Sequence, residues 1–125
     1  MTLSVRAYRR DKNGEQEFLD VARTGGGDPT LFGFEVCRTE LWGAPCMEEL
    51  GAVLLPSLVA HTPNVEGAEL EDLKREVAHL LANRSTISAA TGYREDFIAF
   101  RLENLLLAVE RALAVEGGQG GVVVW

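Results

Sequence analysis

Asp96, Glu103 and Glu110 recur every seven residues, and Arg94 and Arg101 share that spacing on a neighbouring stripe. On a helix, a seven-residue repeat drifts by only about 20° per heptad. Each set therefore forms one line of like charge. Two such lines form either a solvated face laced with ion pairs or, if the helix is packed on two sides, a groove. Charges in a groove need partners. Arg101, Glu103 and Asn104 lie at the middle of this region, and they would form a recognition surface for a charged partner.

Trp42 is the next candidate. It sits in "ELWGAPC", 40–46, a break between a strand pattern and a helix pattern. Loops carry function more often than cores do, and Trp is enriched at binding hot spots. The competing reading folds Trp42 over the core as a lid. His61 follows a proline-interrupted helix and lies near Thr62 and Glu66, where it could act as a base. Trp42, His61, Tyr93 and Arg101 together could line a pocket between helices and sheet.

Classical catalytic patterns are missing. The serines lack a nucleophile-elbow context. Neither "TGGGDPT" nor "GGQGG" carries the remaining residues of a phosphate loop or the strand-to-helix setting of a dinucleotide fingerprint. His61 and His79 have no zinc-ligand spacing around them, and Cys37 and Cys46 are nine residues apart, which is not a zinc pattern either. No catalytic residue, metal or cofactor is assigned on these grounds.

The elements that must position these residues follow from periodicity. "TLSVRAYRR", 2–10, alternates as a strand, with Leu3, Val5 and Ala7 on one face. Asn13-Gly14 is a strong hairpin cue, and 15–23 reads weakly as a return strand. The segment 31–41 reads as a strand with Phe32, Phe34 and Val36 pointing one way. A helix starts at Pro45, which suits a first helical position, and runs to a kink or end near Leu55, before Pro56. Residues 61–67 read as a connector. Leu70, Leu73, Val77, Leu80 and Leu81 mark a long helix, with Glu71 and Arg75 spaced to pair. Residues 85–92 are a frayed extension or a short turn. A last helix over about 93–116 carries Phe97, Ile98, Leu102, Leu105, Leu106, Val109, Ala112 and Leu113. Phe100 and Leu107 widen its apolar face, which predicts a central helix. Val122 to Val124 form a contiguous apolar run, the pattern of a strand with both faces covered.

These elements predict one α+β domain over 1–125. A small, mainly antiparallel sheet joins the N-terminal strands to the C-terminal strand. It packs against about three helices, the last long and central. A chain of 125 residues buries roughly two-thirds of its unfolded surface, enough for a core without disulfides.

Charge sets the partner class. The net charge is −7, which disfavours nucleic-acid backbones and anionic membranes and favours a basic protein partner. In size and charge alone, with no motif behind it, the chain resembles the immunity and antitoxin proteins that neutralise basic bacterial toxins. The expectation is a small, cytoplasmic, non-enzymatic interaction protein. A small-molecule binder or minor enzyme, possibly a homodimer, is the alternative.

Overall fold

Alternation in Thr2–Arg10 makes strand β1, with Leu3, Val5 and Ala7 buried on one face. The computed structural model describes residues 2–125. One edge of β1 pairs with β5 (Gly120–Val124), from Val5↔Val124 to Arg9↔Gly120. The other edge is shared. Strand β3 (Leu31–Phe34) pairs near Thr2 and Ser4, and β2 (Gln16–Phe18) pairs opposite Tyr8 to Arg10. Strand β4 (Asn64–Glu66) lies on the far edge of β5. The result is a five-stranded sheet with every pair antiparallel, within an α+β fold. The hairpin at Asn13-Gly14 forms as its sequence indicates. Asp11 Oδ1 accepts the N–H groups of Asn13 and Glu15 at 2.8 and 3.0 Å.

Three helices of substantial length follow: α3 (Glu69–Ala82), α4 (Arg84–Thr91) and α5 (Glu95–Leu113). Two short ones, α1 (Cys37–Glu40) and α2 (Pro45–Glu49), precede them. Helix α5 packs against α3, α4, β1, β3 and β5, so it is central. At its C-terminal end it rests directly on the sheet. A Cβ on Gly120 would lie 1.9 Å from the Ala112 carbonyl oxygen, so only glycine fits there.

Several expectations need correction. The strand read over 31–41 ends at Phe34, because Gly33 adopts φ +104°. That breaks the alternation: Phe32 is buried and Phe34 is 53% exposed. The helix read from Pro45 to Leu55 stops at Glu49, and Gly51, at φ +89°, turns the chain away. Pro56 does not kink a helix; it opens a short 3-10 turn, Pro56–Val59. The connector at 61–67 contains β4. Arg75 pairs with Asp72, one position from the expected Glu71. His79, whose place beside Leu80 in the helical pattern puts it at the edge of the core, is exposed on α3.

The apolar run of β5 also needs a finer account. The strand is interior to the sheet, between β1 and β4. Val122 and Val124 are buried on the helix side. Val123, opposite Arg6, and Trp125 lie on the other face. Phe18, Trp125 and Arg6 cluster on that face. Phe18 and Trp125 stack at 5.8 Å, and the Arg6 guanidinium lies 4.8 Å from the Phe18 centroid. Beneath them Tyr8 is wholly buried, its hydroxyl donating to Glu66, which also pairs with Arg10 at 2.7 Å.

Candidate functional site

Helix α5 presents a ladder of guanidinium groups and aromatic rings. Arg23, from the loop after β2, lies 3.9 Å from the Phe100 centroid. Arg101 lies 3.8 Å from Phe97 and 5.2 Å from Phe100. Phe97 in turn neighbours Tyr93 at 5.4 Å and Phe34 at 6.1 Å. Tyr93, Phe97, Phe100 and Arg101 share this side because i, i+4, i+7 and i+8 positions coincide on a helix and its leading turn.

The sequence-derived candidates divide sharply on this geometry. Asn104 is buried and works as a clamp. Its amide donates to the carbonyls of Asp28 and Leu31 at 3.1 and 2.8 Å, and its oxygen accepts from Arg23 at 3.0 Å. Glu103 pairs with the same arginine at 2.7 Å. These two residues hold the 23–31 segment on the helix; Asn104 is engaged within the chain, while Glu103 stays about half exposed. Gly27 belongs to that seam, since a Cβ there would lie 2.8 Å from the Phe100 ring.

Trp42 is wholly buried. Its indole N–H donates to the Phe32 carbonyl at 3.0 Å and its ring stacks on Phe32 at 4.4 Å. A residue so placed presents no surface, and the hot-spot reading of Trp42 is replaced by a core role. His61 is exposed and stands apart from the ladder, its carbonyl accepting from Arg38 at 3.1 Å. So Trp42, His61, Tyr93 and Arg101 do not converge. Only Tyr93 and Arg101 meet, across Phe97.

Tyr93 and Arg101 differ in how they are satisfied. The Tyr93 hydroxyl donates to Glu40 at 3.3 Å. Burial, helped by Cys37 and Glu40, pushes its pKa well above the usual phenol value. Arg101 makes no hydrogen bond or ion pair among the described residues, and its Nε is buried without a partner. Burial pulls its pKa below the usual guanidinium value, while Cys37 and Asp96 oppose that shift.

A second concave region lies between α3 and the loop after α2. It encloses about 470 Å³, with Val53 and Leu54 on one wall and Glu69, Asp72, Glu76 and His79 on the other. Its walls carry three carboxylates and one guanidinium, Arg75. Val53 is 74% exposed. Glu76 fixes the shape. Its carboxylate accepts the backbone N–H groups of Val53, Leu54 and Leu55 at 2.8, 3.1 and 2.9 Å. A continuous helix across 46–55 would bury those donors in its own ladder, so reading that stretch as helix hid the groove. Gly51 was the available signal, since glycine readily stops a helix.

Among the described residues, no three of His, Cys, Asp and Glu gather as metal ligands. No described helix is long and apolar enough to cross a membrane. No family model matches the chain, and neither a curated protein nor a solved structure matches it.

Proposed function

We propose that this chain is a non-enzymatic interaction module that docks a basic partner protein in the groove between α3 and the 51–55 loop. The observation that carries this reading is the composition of that groove. An apolar wall with an exposed valine faces three carboxylates, of which Asp72 pairs with Arg75, Glu76 holds the 53–55 backbone and Glu69 makes no ion pair among the described residues. Glu48, Glu49 and Glu71 lie close by along the chain and add to the negative field. An apolar anchor gives affinity, and acidic walls select Lys and Arg flanks. The net charge of −7 would steer a cationic partner and speed encounter at low salt. This is the physics of an acidic inhibitor of a basic protein, as in immunity proteins and antitoxins. The reading places the protein in the cytoplasm, where the free thiols of Cys37 and Cys46 would remain reduced.

The test is capture of a partner from native extract at low salt, with wild-type chain and Val53→Asp side by side. A basic protein should be held by wild type and lost by the variant, and its association rate should fall steeply with added salt. Equal capture by both chains, or a partner that is itself acidic, would overturn the reading.

A further inference from the structure

The geometry points to Arg101, with Phe97 and Phe100, as a binding site for an oxyanion carried on a flat apolar group. The ligand class is an aromatic or similarly planar carboxylate, or the phosphate equivalent. This inference does not depend on the groove at α3.

Arg101 lacks a partner acid among the described residues. A half-buried guanidinium normally finds a carboxylate, because an unpaired charge away from water is costly. The carboxylate that acts on this one, Asp96, and the acids bound to its neighbours along the ladder are committed elsewhere. Asp96 pairs with Arg94 at 2.9 Å and accepts the Phe97 N–H at 2.9 Å. Glu40 takes the Tyr93 hydroxyl, and Glu103 takes Arg23. Cys37 first, then Asp96, is near enough to favour the cation, yet neither pairs with it.

What Arg101 does have is a rigid seat. Phe97 at 3.8 Å and Phe100 at 5.2 Å hold the guanidinium by cation–π contact. Its Nε is buried, whereas neither Nη atom is both buried and unpartnered. The fork is thus presented at its outer end. A planar fork held in one orientation suits a carboxylate or phosphate, which it can grip through two parallel hydrogen bonds. In front of it lies an open cavity of about 430 Å³ lined by Arg94, Asp96, Phe97, Phe100 and Arg101. Arg94 is spent on Asp96, so Arg101 is the cation free to receive a charge. The rings offer a surface for the flat part of the ligand.

The test uses the full chain and three probes: benzoate, benzamide and inorganic phosphate. Each is titrated while the side-chain resonances of Arg101, Phe97 and Phe100 are followed by NMR. Benzoate should shift all three saturably, and benzamide, which has the ring without the charge, should not. Arg101→Lys keeps the charge and loses the fork, so it should weaken benzoate about tenfold. Arg101→Gln should abolish the shift. Tighter binding of phosphate than of benzoate at the same resonances would keep the site and assign its natural ligand to the phosphate class. The inference fails if benzamide acts like benzoate, if no probe saturates, or if the lysine chain binds benzoate as wild type does. That last comparison stands even if the glutamine chain is unstable.

Discussion

The carboxylate of Glu76 receives the backbone N–H of Leu55 at 2.9 Å, together with those of Val53 and Leu54. One side chain on α3 therefore satisfies three successive donors at the mouth of a 3-10 turn. Hydrogen bonds to a charged group contribute about 1.5–3 kcal/mol, and an orphaned donor costs a similar amount. Glu76→Ala should lower unfolding stability by about 2–3 kcal/mol. Glu76→Gln retains one oxygen and should lose less. Urea unfolding reads both, and a change below about 0.5 kcal/mol for the alanine would show that water replaces the carboxylate.

Glycine at 120 is required by contact. A methyl group there would collide with the Ala112 carbonyl, which belongs to the helix and cannot swing aside. Gly120→Ala should cost about 3 kcal/mol or more. Gly118→Ala meets open space but adopts φ +70°, so it should cost only about 1 kcal/mol. Thermal melts of the two chains should fall in that order, and the reverse order would mean that α5 does not press on the sheet.

Both tyrosines of the chain should resist ionisation. Burial first, then Glu66, raises the Tyr8 pKa, and burial first, then Cys37, raises that of Tyr93. The folded state therefore holds its phenol protons where the unfolded chain, with a pKa near 10, releases them. Stability is unaffected below that range and is lost as pH rises through it. Absorbance at 295 nm should show no phenolate near pH 10 in the native protein, and phenolate should appear together with loss of circular dichroism. Smooth titration near pH 10 in a folded chain would contradict the burial of Tyr8 and the part-burial of Tyr93.

Glu66 behaves in the opposite sense. Hydrogen bonds from Arg10 first, then Tyr8, lower its pKa. Its contribution is present above the usual carboxylate range and is lost as pH falls through the lowered folded value. Glu66→Gln should therefore flatten part of the acid limb of stability while leaving neutral-pH folding intact. An unchanged acid limb would show that the Arg10–Glu66 pair is screened out by water.

The two tryptophans should report separately. Trp42 is wholly buried and hydrogen-bonded, and Trp125 is 40% exposed. Trp42→Phe leaves the Phe32 carbonyl without its donor and a void beside it. It should cost about 2–4 kcal/mol. Trp125→Phe should cost under about 1 kcal/mol and remove most of the acrylamide-quenchable fluorescence. Strong quenching in the Trp125→Phe chain would place Trp42 at the surface.

The framework was readable because it rests on short-range rules. Alternation in 2–10, the Asn13-Gly14 turn and the apolar spacing of α3 and α5 each act within a few residues. What escaped the sequence depends on long-range partners. Asn104 looks like a surface amide until Asp28 and Leu31 offer carbonyls across the chain. Trp42 looks like a loop anchor until Phe32 supplies both a ring and an acceptor. Arg101 stands at the middle of its stripe, but its distinguishing property, the lack of an acid, appears only in the fold, where Asp96 and Glu103 are bound elsewhere. The groove escapes because the apolar spacing of 45–55 runs on as a helical pattern through Gly51, where the chain in fact turns away.

The position of β5 between β1 and β4 bears on how the chain comes off the ribosome. Strand β1 is made first, yet its long partner comes from 120–124, after every helix. Until that segment emerges, β4 has no strand neighbour. A nascent chain would carry folded helices beside two open strand edges, a state prone to pairing with neighbours. Closing the sheet joins contacts separated by nearly the whole sequence, the high-contact-order arrangement that slows folding. Synthesis time and folding time are thereby linked through a few valines.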